Sequence, residues 1–113
     1  MIYALIVGIN AYKSRDILNL SGCENDARSI ELFLEEKFAK NIQIKTLLSA
    51  QATRPAIIEG FREHLTQAKK GDVAFFFYAG HGCREPSPEA FIPWQKDDHH
   101  ENIVCYDLSL IHI

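Results

Sequence analysis

The run Tyr78-Ala79-Gly80-His81-Gly82 sets an imidazole between two glycines. Glycines on both sides permit tight backbone geometry and close approach of a ligand. A histidine so placed can act as a general base, with the backbone N–H of Gly82 offered to a developing oxyanion. The plainer alternative is a turn in which both glycines serve the backbone alone. A second cluster is Ser21-Gly22-Cys23-Glu24-Asn25-Asp26, where a thiol stands among carboxylates. Taken alone, Asp26 reads as a helix cap and Cys23 as a small buried side chain. A third run, Asp97-Asp98-His99-His100-Glu101, has the residue types of a metal site. Adjacent histidines do not easily share one ion, and the spacing matches no standard site. We therefore expect a solvated loop there and assign no metal. Trp94, after Pro93, reads as an anchor for that loop.

The cysteines are Cys23, Cys83 and Cys105. They are odd in number, far apart and free of any C-x-x-C pair, so neither a zinc knuckle nor a disulfide framework is indicated. A reducing, cytoplasmic setting is the expectation. The net charge of -3 comes with no basic patch, which argues against nucleic acid as a partner. No apolar run approaches the ~20 residues of a membrane span. Met1 to Gly8 has neither a basic leader nor a small-residue cleavage site, and reads as a strand of the fold. At 113 residues and 47% hydrophobic, the chain has room for one ordinary globular domain.

These residues need elements to hold them. Residues 3–9 form a continuous apolar run of strand length, suited to burial on both faces. A polar loop follows to about Leu20. Ala27, Ile30, Phe33, Leu34 and Phe38 then fall on one helical face. Ser21 with Glu24 fits a capping box for that helix, with Asn25 or Asp26 as other caps. Residues 42–48 alternate and predict an edge-like strand. Thr53 caps a second helix with Pro55 in its first turn. Its buried face is predicted as Ile57, Ile58, Phe61, Leu65 and Ala68. Lys69-Lys70-Gly71 ends it. Val73 to Tyr78 predicts the most buried strand, residues 84–102 an irregular excursion, and Ile103 to Tyr106 one more short strand.

The order β-α-β-α-β implies a parallel sheet with right-handed crossovers and helices on its faces. In such folds, function sits at the carboxyl ends of the strands. His81 follows the third strand, and Asp26 opens the helix after the first. The two face one cleft if strands 1 and 3 are neighbours.

Three segments together resemble the N-terminal, large-subunit part of the caspase-like cysteine peptidases, the clan of caspases and metacaspases. They are Tyr3 to Tyr12, Leu20 to Ala27, and Lys70 to Gly82. The resemblance spans about residues 2–107. The Gly22-Cys23-Glu24-Asn25-Asp26-Ala27 piece leans toward metacaspases. The resemblance implies an α/β fold with a three-layer, mostly parallel caspase-like sheet, helices on both faces, and a polypeptide substrate. It implies that His81 is the catalytic histidine, which pairs with a cysteine thiolate and protonates the leaving amine. Gly82 is then an oxyanion-hole donor, Asp26 an acid lining a pocket for Arg or Lys, and Cys23 a neighbour of that pocket. Asp107 falls in a matched stretch to which no role is carried.

In this clan the nucleophilic cysteine follows the histidine by roughly 50 residues. From His81 that lies beyond Ile113. Cys83 is too near on the same loop, Cys105 precedes the expected strand end, and Cys23 sits by the pocket. The expectation is therefore a single truncated domain, 1–113, that lacks the C-terminal part of the same domain and is inactive alone. The apolar ending Leu110-Ile111-His112-Ile113 agrees with this. No cofactor is implied, and Asp97 and Asp98 leave calcium dependence open. Two other readings compete: a non-catalytic caspase-like binding or regulatory module, and a flavodoxin-like domain. The second lacks a Gly-rich phosphate loop after strand 1.

Overall fold

The computed structural model of the chain describes residues 1–86 and 99–112. A parallel three-stranded sheet holds β1 (Ile2–Gly8), β2 (Ile42–Leu48) and β3 (Val73–Ala79) in the order β2-β1-β3. Strands 1 and 3 are thus neighbours, in register from Ile2–Val73 to Gly8–Ala79. Helix α1 (Cys23–Phe38) crosses from β1 to β2, and α2 (Arg54–Glu59) opens the crossover from β2 to β3.

The alternation of side chains along β1 divides the core between two layers. Ala4 and Ile6 pack with Ala27 and Leu34 of α1, joined by Phe75 and Phe77 of β3. Leu5, Val7 and Ile9 pack with Ile57 and Leu65 on the α2 side, joined by Phe76 and Tyr78. This α/β arrangement, with helices on both faces of a mostly parallel sheet, is the expected one. The most buried strand, however, is β1 and not β3. Ala4 through Val7 have no exposed surface, whereas Val73 is about half exposed. An apolar run gives no sign of which strand is flanked on both sides; the strand order β2-β1-β3 decides it.

Other expectations change in detail. The capping box does not form, for α1 begins after Gly22 with no cap from a neighbouring side chain. Instead Asn10 Oδ1, from the end of β1, accepts the N–H groups of Cys23 (2.9 Å) and Glu24 (3.1 Å). Thr53 does cap α2, accepting from the Ala56 N–H at 3.3 Å. The second helix is not α-helical throughout. It passes into a π-helical stretch, Gly60–His64, and a 3-10 turn, Leu65–Gln67. A Cβ on Gly60 would lie 2.8 Å from the Leu5 methyl carbons, so glycine brings this stretch close to β1. Phe33 and Phe61, predicted as buried, are 54% and 37% exposed, and Phe61 stacks against Phe76.

The excursion after His81 carries strands at both of its ends. β4 (Gly82–Pro86), β5 (His99–Val104) and β6 (Leu110–His112) make a second, antiparallel sheet. Its residues Cys83, Val104 and Leu110, with Cys105 just past β5, join the α2-side core. The Tyr106 N–H donates to the Ala52 carbonyl, and the Arg54 N–H to Asp107 Oδ1, so this sheet is tied to the start of α2. No helix among the described residues is long and apolar enough to cross a membrane.

Candidate active site

Parallel pairing of β1 and β3 brings the predicted residues to one edge of the sheet. His81 lies two residues past β3. Cys23 stands directly over Gly8, the last residue of β1, where a Cβ would meet the Cys23 carbonyl oxygen at 2.6 Å. Gly8 is in register with Ala79, so the start of α1 and the turn bearing His81 share the carboxyl edge. Asp26 is exposed in the first turn of α1. No hydrogen bond joins Asp26 to His81; what they share is this edge.

The His81 imidazole is held by the loop after β1. Its Nε2 lies 2.7 Å from the carbonyl oxygen of Leu18. A carbonyl can only accept, so Nε2 carries the hydrogen and Nδ1 of the neutral ring keeps its lone pair. The Tyr12 ring packs against the imidazole with centroids 5.1 Å apart. A hollow of about 370 Å³ opens within the loop after β1, lined by Tyr12, Arg15, Ile17 and Leu18 among others.

Backbone geometry around His81 is equally constrained. Its N–H donates to the Tyr12 hydroxyl at 2.7 Å. Its carbonyl accepts from the Tyr78 hydroxyl at 2.6 Å and from the Val104 N–H at 3.1 Å. That last bond makes Gly82–Ile103 a pair that does not exchange ladder bonds. The Gly82 N–H therefore points away from β5. Gly80 has a reason of its own to be glycine: a Cβ there would meet the Tyr78 and Tyr12 hydroxyls at 2.6 and 2.8 Å.

The loop that presents Leu18 is itself anchored. The Asn10 carbonyl accepts the Leu20 N–H at 2.7 Å, and the Asn10 N–H donates to Ser49 Oγ at 3.1 Å. Ser49 Oγ–H donates in turn to Glu24 at 2.9 Å, and Ser49 sits at a φ of +41°, in the sparsely populated left-handed region. Asn10, Tyr12, Leu18, Ser49 and Tyr78 were not among the predicted site residues. The one local hint was an aromatic residue in a largely polar loop, at Tyr12.

None of the thiols with a perturbed acidity is activated as a nucleophile. Burial first, then the Asp26 carboxylate, pushes the Cys23 thiol up. Burial, aided by Asp107 and opposed by Arg54, pushes Cys105 up to about 11. Attack requires a thiolate, which needs the opposite shift. Cys105 carries a prediction of its own. Its folded value lies above the ordinary 9.0, so folding favours the neutral thiol. That contribution is whole below pH 9 and is lost as pH rises toward 11, costing on the order of 2–3 kcal/mol. Urea unfolding at pH 8, 9, 10 and 11 should show the decline. Cys105→Ala should reduce the slope between pH 9 and 10, leaving the part due to the raised Cys23 thiol, before Tyr78, whose hydroxyl is also pushed up by burial, contributes. Identical slopes in both proteins would refute the assignment.

The acid-and-histidine run falls largely out of view. Trp94, Asp97 and Asp98 lie outside the described residues, as do the side chains of His99 and His100. Among the described residues no three His, Cys, Asp or Glu side chains gather as a metal site.

A family profile described as "Metacaspase, peptidase C14 domain" matches residues 3–111. Metacaspase-6 of Arabidopsis thaliana is 32% identical over 116 residues, covering 96% of this chain and 30% of that protein. Metacaspase-1A of Aspergillus oryzae is 28% identical over 108 residues, covering 89% of this chain and 24% of its own length. The chain thus spans less than a third of either relative. Protein GSU0716 from Geobacter sulfurreducens shares the fold, with a TM-score of 0.77 at 24% identity over 98% of this chain and 41% of that one.

Proposed function

From membership of the metacaspase, peptidase C14 family, to which this chain belongs, we propose that it is the histidine-bearing part of a cysteine endopeptidase cleaving after Arg or Lys. The observation that carries the reading is the Nε2–H bond from His81 to the Leu18 carbonyl. It leaves Nδ1 as the base. Nδ1 takes the proton of a cysteine thiol, and the thiolate attacks the scissile carbonyl carbon. The Gly82 N–H donates to the resulting oxyanion. The imidazolium, steadied by the Leu18 carbonyl, then protonates the leaving amine as the carbon–nitrogen bond breaks, and water hydrolyses the thioester.

The nucleophile in this reading lies outside the 113 residues. Support comes from the raised thiols of Cys23 and Cys105 and from the position of Cys83, directed along β4 two residues from His81. The chain alone is then inactive, and the polypeptide that contains it with its continuation is the enzyme.

Asp26 is the proposed specificity acid, because a carboxylate at the cleft edge pairs with a guanidinium or ammonium group. Its exposure on the first turn of α1 supports this, since it is committed to no cap. The test is cleavage by the full polypeptide of peptides ending in Arg, Lys, Asp or Leu. Turnover after Arg and Lys alone is expected. Asp26→Ala should cut it by about 10- to 100-fold with folding unchanged. Undiminished cleavage after Arg by the variant would remove Asp26 from the pocket. A full polypeptide that binds peptides yet turns over none would favour the non-catalytic module.

A further inference from the structure

Three hydrogen bonds around His81 form a closed circuit whose direction is fixed by proton count, and a fourth branches from it to Val104. Each tyrosine hydroxyl has one hydrogen to give. Tyr78 Oη lies 2.6 Å from the His81 carbonyl and 2.7 Å from the Val104 carbonyl. Neither carbonyl has a proton, so the Tyr78 hydrogen goes to them. Tyr12 Oη accepts the His81 N–H at 2.7 Å and lies 3.3 Å from Tyr78 Oη. With the Tyr78 hydrogen already placed, Tyr12 must be the donor between the two hydroxyls. The circuit runs from the His81 N–H to Tyr12, from Tyr12 to Tyr78, and from Tyr78 back to the His81 carbonyl. It closes on the two polar groups of a single residue.

We propose that Tyr12 and Tyr78 are positioning residues, whose paired hydroxyls clamp the His81 backbone and so aim both the imidazole and the Gly82 N–H. This rests on the reading of His81 as the catalytic histidine. Three structural observations converge on it. Gly80 is bare because the two hydroxyls fill the place of its side chain. The Tyr12 ring also lies against the imidazole, so one residue touches His81 by both ring and hydroxyl. The two tyrosines come from different elements, the loop after β1 and the end of β3. The clamp therefore fixes His81 relative to the same loop whose Leu18 carbonyl holds the ring. Burial keeps the Tyr78 hydroxyl protonated, as a donor facing two carbonyls must be.

The test uses Tyr12→Phe, Tyr78→Phe and the double variant in the full polypeptide, since phenylalanine keeps the rings and removes only the hydroxyls. Each single change should lower kcat for an Arg-ended peptide by about 10- to 100-fold with KM within about twofold, the signature of misplacement rather than lost binding. Because the hydroxyls act as one unit, the double variant should fall no further than the worse single one. A second readout needs no turnover: the ring Nε2–H resonance of His81 in nitrogen-15 spectra. It should be slow to exchange in the parent and fast in each variant, with the spectrum elsewhere intact. Unchanged kcat and an unchanged ring resonance in both single variants would overturn the clamp. A parent that fails to cleave would count against the peptidase reading, and the ring resonance would still decide the clamp. If one variant fails to fold, the other single variant decides by the same two readouts.

Discussion

Replacing His81 by alanine in the full polypeptide should lower turnover after Arg by about 10³-fold or more while leaving the protein folded. General acid–base catalysis contributes roughly 10²- to 10⁴-fold, and in the proposed reaction one ring serves both halves. Without the imidazole, the thiol keeps its proton at neutral pH and the departing amine has no proton donor. The fold should tolerate the change. The clamped groups of His81 are its backbone N–H and carbonyl, which alanine retains. What is lost is the ring contact with Tyr12 and one bond to the Leu18 carbonyl. That is a cost of about 1 kcal/mol for a hydrogen bond of this kind. The measurement is kcat/KM alongside urea unfolding of the same preparation. Activity within tenfold of the parent would remove His81 from the mechanism and, with it, the peptidase reading.

Gly8→Ala should be the most damaging single-methyl change at the site. The position is restricted by space and not by φ. An added Cβ would stand 2.6 Å from the Cys23 carbonyl oxygen, 2.8 Å from the Ala27 Cβ and 3.1 Å from the Cys23 carbonyl carbon. Two of these three atoms are backbone, and no rotamer change can clear them. Either β1 or the start of α1 must move, and β1 is the central strand of the sheet, with Ala4 through Val7 fully buried. The helix start should therefore lift. Overpacking of this kind costs about 3 kcal/mol. For a domain of this size that lowers Tm by roughly 12–20 °C. In the full polypeptide KM for Arg-ended peptides should rise as well, because the moving turn carries Cys23 and Asp26. The double variant Gly8→Ala with Ala27→Gly should recover only part of the loss, since it relieves the methyl contact and leaves the carbonyl one. Stability of Gly8→Ala within 0.5 kcal/mol of the parent, on the order of an ordinary surface change, would show that α1 has slack at its start.

Much of this arrangement was legible in the chain because its signals are local. The run at residues 3–9 and the helical spacing from Ala27 to Phe38 each report the burial of their own segment. Together they gave the alternating order from which the parallel sheet and its working edge followed. Thr53 with Pro55 was read correctly as a helix start because donor and acceptor lie three residues apart. The cap of α1 was misread for the opposite reason. Its acceptor, Asn10, lies 13 residues before Cys23. Of the second sheet only the end of β5 was foreseen, as a short strand from Ile103, because β4 and the start of β5 are held by pairing across the intervening segment and their own sequences are polar.

The sequence by itself determined the fold class, singled out His81 as the candidate chemical residue, and placed it at the carboxyl edge of the sheet. Residue type and hydrophobic period carry that much. Only the tertiary structure decided which ring nitrogen of His81 keeps its lone pair free, because the deciding acceptor is a backbone carbonyl at Leu18, 63 residues away. It also changed the meaning of a glycine. Gly80 read as a turn residue, yet its missing side chain is the space that two tyrosine hydroxyls occupy. A carbonyl is the same in every residue, and an empty volume has no letter. Both exist only once β1 and β3 lie side by side.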